Sequence, residues 1–96
     1  APAALFCFVD RQMGPPQWSD LGMFLQTFML MAKEAGLDTC AQEAWSMKHE
    51  SVASFVNVSS DDILFCGMSI GYQDFEAPIN KLESTRRPLE EWASFL

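Results

Sequence analysis

The residues best placed to do chemistry in this 96-residue chain are two adjacent arginines followed by a proline. Pro88 suits the first position of a helix, so Arg86 and Arg87 stand at the predicted start of a final helix over Leu89–Phe95. A guanidinium group offers a bidentate fork to a phosphate, and the positive end of a helix adds to that attraction. The pattern indicates an anion site, although two neighbouring arginines are more often ordinary surface residues.

The remaining side chains give little support to hydrolytic or metal chemistry. His49 is the single histidine, and it fits a structural polar residue near a helix start better than a catalytic base. Cys7, Cys40 and Cys66 are far apart and form no metal-binding spacing, which is typical of free thiols in a reducing cytoplasm. We therefore predict no metal site and assign no catalytic side chain.

Two glycines interrupt the apolar run Phe65–Tyr72. The spacing of Gly67 and Gly71 does not match the dinucleotide fingerprint, which places its glycines in a turn between a strand and a helix. A glycine inside a strand indicates that another group approaches the backbone closely. The sequence leaves open whether that group is a neighbouring helix or a ligand.

Composition places the chain among globular domains and argues against two classes of partner. Hydrophobic residues make up 49% of the chain and charged residues 20%, which is a globular balance. The net charge of −7 argues against non-specific nucleic-acid binding. The most apolar stretch, Leu21–Ala32, is interrupted by Gln26 and Thr27 and is too short to span a bilayer.

Apolar patterning predicts an α+β fold with short strands and one long helix. The run Ala4–Val9 indicates a buried strand. A helix is predicted over Asp20–Ala35, with Ser19 as its N-cap and Gly36 as a left-handed stop. The other predicted elements are a connector at Leu37–Ala41, a helical turn at Gln42–Met47, a helix at Glu50–Asn57, a strand at Ile63–Tyr72 and a loop at Asp74–Asn80.

The long helix is apolar on nearly all sides, whereas a surface helix normally carries one apolar stripe. We therefore expect it to be covered from more than one side, by the rest of a larger domain or by a partner subunit. Two strands alone do not make a stable sheet, which supports the same expectation. If the helix forms a subunit contact, Leu25→Asp or Phe28→Asp should block assembly, because an unpaired charge in an apolar interface is costly.

The order of several short segments resembles the C-terminal half of the nitroreductase family, in the branch that includes nitrobenzoate-reductase-type proteins. The resemblance extends over nearly the whole chain, although each segment is weakly specific by itself. The segments that carry it, in order, are Ala1-Pro2 with the strand that follows, Trp18–Gly22, Ala35–Cys40, Ala41–Ala44, Phe65–Tyr72, Pro78–Asn80 and Thr85–Glu91.

The resemblance implies an α+β fold in which a sheet lies between helices, built as an intertwined homodimer. It also implies FMN bound at the subunit interface and a ping-pong reaction. In that reaction NAD(P)H reduces the flavin, and a nitroaromatic, quinone or similar small acceptor is then reduced in the same pocket. The long apolar helix corresponds to the family's central helix at the dimer interface.

The resemblance also assigns cofactor-binding positions. Ala41, Gln42, Glu43 and Ala44 correspond to the loop beside the flavin ring, where backbone groups around Glu43 contact the N5 edge. Arg86 corresponds to the arginine that binds the FMN phosphate. Some relatives carry a further base at the position of Ser84, so one positive charge is missing here.

On this interpretation residues 1–96 form the C-terminal half of a nitroreductase-like domain, and the N-terminal half is absent. That half supplies further phosphate and flavin contacts in the family. The alternative is a non-catalytic remnant of such a domain, which associates through its apolar helix and binds no flavin.

Overall fold

The computed structural model describes residues 1–96 and contains a three-stranded antiparallel sheet with one long helix against it. The predicted α+β class is therefore confirmed. No helix has the length and apolar character needed to cross a membrane. The elements are strand β1 at Ala3–Asp10, helix α1 at Pro15–Glu34, strand β2 at Asp38–Gln42, helix α2 at His49–Val56, strand β3 at Asp62–Gly71, and 3₁₀ turns at Glu43–Lys48, Pro78–Lys81 and Leu89–Glu91.

Strand β3 lies in the centre of the sheet, in the order β1-β3-β2. Its residues Leu64, Cys66 and Met68 are at most 4% exposed. A register shift pairs Leu64 with Phe8 and Cys66 with Cys7, so Leu64 lies on the face opposite to that of Cys66 and Met68. Cys66 and Met68 form the core together with Leu25 of α1. The predicted strands Ala4–Val9 and Ile63–Tyr72 are confirmed, each within one residue at either end.

Cys7 of β1 lies directly opposite Cys66 of β3 and packs against the same core. Burial raises the pKa of the Cys7 thiol, and the neighbouring Cys66 adds to the increase. All three cysteines are free, and only Cys40 is exposed. Cys7 and Cys66 therefore act as small apolar side chains of the core.

Helix α1 begins five residues before the predicted start. Pro15 and Pro16 occupy its first positions, where a missing N–H group is no disadvantage. The N–H of Gly14 donates to the side-chain oxygen of Gln17 at 3.1 Å, so the predicted N-cap at Ser19 is wrong. The predicted stop is confirmed, because Gly36 has a φ of 79° directly after the C-cap residue Ala35.

Helix α1 presents apolar residues on two sides, as the sequence predicts. One side packs on the sheet through Leu25, with Phe28 partly buried against the same core. The opposite side is open to solvent, and its side chains are 54% to 63% exposed: Met23, Phe24, Leu30 and Met31. Substitutions at Leu25 or Phe28 would therefore damage the chain's own core, and a loss of assembly in them would not identify a subunit contact.

Two local predictions are wrong. The expected connector Leu37–Ala41 is strand β2, which pairs with β3 from Asp38 opposite Gly71 to Gln42 opposite Gly67. The expected final helix Leu89–Phe95 is only a three-residue 3₁₀ turn. Asp38–Gln42 becomes a strand because it pairs with β3. Local propensity is a weak determinant over segments as short as these two.

The chain leaves an unusually large surface open. Its radius of gyration is 16.4 Å, against about 12.5 Å for a compact domain of this length. Its accessible surface is 7838 Å², against about 5,500 Å² for a monomer of this mass. The segment after β3 contributes exposed apolar side chains, at Phe75, Ile79, Leu82, Trp92 and Phe95 among others. Apolar surface on this scale is typical of an interaction site.

Asp38 joins three parts of the fold at the start of β2. Its Oδ1 accepts a hydrogen bond from Lys33 Nζ at 2.6 Å, and its Oδ2 accepts one from the Gln73 N–H at 2.9 Å. The Lys33 hydrogen bond is the main cause of a lowered Asp38 pKa, and the Gln73 hydrogen bond adds to it. The carboxylate thus connects the end of α1 to the segment that follows β3.

We expect Asp38→Asn to reduce the free energy of unfolding at pH 7 and to matter much less in acid. The folded pKa lies below the unfolded one, so the stabilisation is present above the unfolded pKa of about 4 and is lost as the pH falls through the folded value. Urea unfolding at pH 7 and pH 3 measures the difference. Glu76→Gln is the control, since its ion pair with Lys81 is long and solvent-exposed. An equal loss at both pH values would contradict the expected role of the carboxylate.

Candidate functional site

The four residues predicted to lie beside a flavin ring form a corner at the end of β2, which we call the β2 corner (Ala41–Ala44). Ala41 and Gln42 are the last residues of the strand, and Glu43 begins the 3₁₀ turn that follows. The first N–H groups of such a turn have no partner inside it and are available as donors. The β2 corner can therefore present backbone donors to a ligand without using any particular side chain.

Trp45 holds the β2 corner against the central strand. Its indole Nε1–H donates to Gln42 Oε1 at 2.8 Å. Its ring meets the Phe6 ring edge-to-face, with the ring centroids 5.3 Å apart. The sequence alone does not indicate this contact, because Trp45 and Phe6 are far apart in the chain. They meet only because β1 pairs with β3 and places Phe6 opposite Gly67.

The two glycines of β3 are explained by close contacts within the chain itself. A Cβ at Gly67 would lie 2.5 Å from Trp45 Cδ1, and one at Gly71 would lie 2.6 Å from Pro2 Cδ. The prediction of a close approach to the backbone is therefore confirmed at both positions. The approaching groups are the indole ring of the 3₁₀ turn at Gly67 and the Pro2 ring at Gly71, so at Gly71 the group is neither a neighbouring helix nor a ligand.

Arg86 lies in an exposed segment and bonds only to its own neighbours. Its Nη1 donates to Ser84 Oγ at 2.9 Å and to the Thr85 carbonyl at 3.0 Å. The turn at Leu89–Glu91 is too short to supply a helix dipole, so the expected helix-end contribution to an anion site is wrong. Within one chain, the structure shows no contact that brings Arg86 to the β2 corner.

His49 has the structural role that the sequence favours. Its Nδ1 accepts a hydrogen bond from the Leu64 N–H at 3.1 Å, which joins the start of α2 to the central strand. A neutral ring that accepts at Nδ1 carries its proton on Nε2. Nε2 lies 3.5 Å from Arg11 Nη2, so these two groups, both donors, make only a long contact. The structure brings together no group of three or more His, Cys, Asp or Glu side chains that could hold a metal ion.

Two open grooves lie next to the sheet. One has a volume of about 290 Å³ and lies beside Glu43, between α1 and the start of β3; it is lined by Trp18, Glu43, Ser46, Ile63, Leu64 and Phe65. The other, of about 340 Å³, is more polar and lies where β2 begins and β3 ends. The sequence alone places Trp18 only at a helix start. Its position beside Glu43 depends on how α1 crosses the sheet.

Comparisons with known proteins show the family of the chain. The family model described as "Nitroreductase family" matches residues 1–72. Nitrobenzene nitroreductase of Ectopseudomonas oleovorans is 38% identical over 96 residues, which is 100% of this chain and 42% of the relative. The 4-nitrobenzoate reductase of Pseudomonas putida is 33% identical with the same coverage. The chain thus spans about two-fifths of the length of the curated relatives it matches.

Solved structures share the fold as well as the sequence. The FMN and NADPH-dependent nitroreductase NfnB of Sphigopyxis sp. strain HMH superimposes with a TM-score of 0.90 at 43% identity, over 97% of this chain and 42% of that one. The FMN-dependent nitroreductase NfnB of Mycobacterium smegmatis, solved in complex with NADPH, gives a TM-score of 0.91 at 27% identity, over 97% and 41%. From its sequence and its fold alike, this chain belongs to the nitroreductase family.

Proposed function

We propose that this chain supplies the C-terminal part of an FMN-dependent NAD(P)H oxidoreductase, which reduces nitroaromatics, quinones or similar small acceptors by a ping-pong reaction. The β2 corner carries the proposal, because it places exposed backbone donors beside the central strand in a fold shared with FMN-dependent nitroreductases. The assignment of residues 1–96 to the C-terminal half of the domain is part of this proposal.

The groups present in the chain fit an FMN cofactor. The start of the 3₁₀ turn at Glu43 offers neutral N–H donors, which suit the edge of a flavin ring. The Arg86 guanidinium uses only one of its nitrogens, Nη1, in hydrogen bonds, so its other donors are available for a phosphate. FMN, when bound, supplies the acceptance and donation of hydride.

The chain's own contribution to catalysis is electrostatic. Backbone N–H groups near Glu43 and Ala44 would donate to the N5 edge of the flavin and stabilise the negative charge that develops there. This role requires donors fixed in advance, and it requires no titratable side chain. We therefore assign Ala41, Gln42, Glu43 and Ala44 to cofactor binding and propose no catalytic acid or base.

The proposal includes an intertwined homodimer. Arg86 lies in the segment after β3, which is exposed over nearly its whole length, while α1 exposes an uncovered apolar side. An exchange of these surfaces between two subunits would bury both, and it would place Arg86 in a site shared with the partner. The free cysteines are consistent with the cytoplasmic setting that we include in the proposal.

A second candidate function is a non-catalytic oligomer without flavin. The exposed side of α1 favours it, because that surface predicts association whether or not a cofactor binds. The visible spectrum of the purified protein discriminates between the two candidates. Bound oxidised flavin gives a yellow protein, whereas the second candidate predicts a colourless one.

We expect Arg86→Ala, made in the protein as its gene encodes it, to weaken FMN binding by about 10- to 100-fold. The reason is the loss of a charge-assisted hydrogen bond to phosphate, worth about 1.5–3 kcal/mol. Titration of the apoprotein with FMN measures the change, and Arg87→Ala is the matched control. Unchanged affinity in Arg86→Ala would contradict the phosphate role and leave the family assignment intact.

We expect Phe24→Asp to weaken subunit association by about 100-fold or more, because it places an unpaired charge on the uncovered side of α1. Analytical ultracentrifugation over a concentration series measures the association, and circular dichroism checks that the helix is retained. Phe55→Asp is the control, because Phe55 is 88% exposed on α2, away from α1. If Phe24→Asp sediments like the unmodified protein, this side of α1 is not the interface.

A further inference from the structure

We propose that Trp45 is a positioning residue for the backbone of Glu43 and Ala44, and that Gly67 is kept free of a side chain so that the indole can pack there. The inference rests on the proposed function, since it concerns the same flavin-contacting backbone. It adds the device that orients those donors before any ligand binds.

The first observation is the contact between the indole and β3. A Cβ at Gly67 would lie 2.5 Å from Trp45 Cδ1, 2.8 Å from Cγ and 3.2 Å from Cβ. These atoms belong to the base of the side chain rather than to its flexible end. A side chain added at Gly67 would therefore displace the indole and press on Trp45 Cβ, next to the backbone of the turn that begins at Glu43.

The second observation is that Gly67 also pairs with Gln42 in the sheet. The same residue of β3 thus fixes the chain on both sides of Glu43 and Ala44: through the strand register at Gln42 and through the indole at Trp45. Only two residues lie between these points. Their peptide planes have little freedom to rotate while both contacts are made.

The third observation is the hydrogen bond that closes this small loop. The indole N–H is a donor only, so its 2.8 Å contact requires the Gln42 oxygen rather than the nitrogen. The Gln42 Nε2 then lies 3.8 Å from Cys40 Sγ, a weak acceptor. The Gln42 amide is held in one orientation by neighbours on both sides.

Burial alone does not account for Trp45. Its side chain remains 40% exposed, although it makes an edge-to-face contact with Phe6 and a direct contact with the backbone of β3. The gain from these contacts is local order at the β2 corner. Donors held in place before the reaction stabilise developing charge without reorganisation, and that is the function of a positioning residue.

The test uses Trp45→Phe and Gly67→Ala in the complete protein, with Gly22→Ala as the matched control. Trp45→Phe keeps an aromatic ring and removes the hydrogen bond to Gln42, whereas Gly67→Ala displaces the ring. An added Cβ at Gly22 meets nothing within 4 Å. Two readouts are measured: deuterium exchange of the peptide that contains Glu43 and Ala44 in flavin-free protein, and flavin reduction by NADPH in single turnover.

We expect the peptide to exchange several-fold faster in both Trp45→Phe and Gly67→Ala and to be unchanged in Gly22→Ala. Flavin reduction should be slower by about 10- to 100-fold in Gly67→Ala, because misplacing groups by about 1 Å costs that much. The reduction potential of bound flavin should become more negative, since the reduced form loses stabilisation. A purely structural role would instead lower stability and leave the potential unchanged.

Unchanged exchange, rate and potential in both variants would overturn the positioning role and leave the proposed function standing. If Gly67→Ala fails to fold, Trp45→Phe still decides, through the exchange of Glu43 and Ala44. Wild-type protein that binds no FMN would overturn the proposed function and this inference together. The two failures are therefore distinguishable.

Discussion

Strand β3 is the element on which the rest of the molecule depends, since both other strands hydrogen-bond to it and α1 packs against one of its faces. Cys66 and Met68 of β3 form the core with Leu25 of α1, and apolar burial is the main favourable term in folding. Because side chains alternate along a strand, this buried stripe also fixes which residues face away. Gly67 is therefore directed to the opposite face, where Trp45 packs on it.

The position of the candidate site follows from this register. Strand β2 ends opposite Gly67, so the chain must turn at Glu43 while it is still beside the central strand. The turn leaves its first residues, Glu43 and Ala44, exposed beside the sheet. A site built on rigid elements holds its geometry better than one on a free loop, which suits chemistry that depends on fixed dipoles.

The open apolar surfaces have the same origin. The sheet has only three strands, and α1 covers one face of it with one of its own two apolar sides. The other side of α1 and the segment after β3 find no cover within the chain, which accounts for the large radius of gyration. The homodimer that we propose would cover both surfaces, because neither is covered within one chain.

The sequence by itself determined the elements that bury their own side chains: strands β1 and β3, helix α1 with its stop at Gly36, and the close approach at Gly67. Each has an apolar pattern, or a glycine, that is dictated by burial at that position. The flavin-site positions Ala41–Ala44 and Arg86 came from family resemblance and stay predictions. Only the tertiary structure decided that Asp38–Gln42 is a strand, that Leu89–Phe95 is not a helix, and that Trp45 packs on Gly67. The physical reason is that these features depend on contacts between residues distant in sequence, which local propensity over a few residues does not determine.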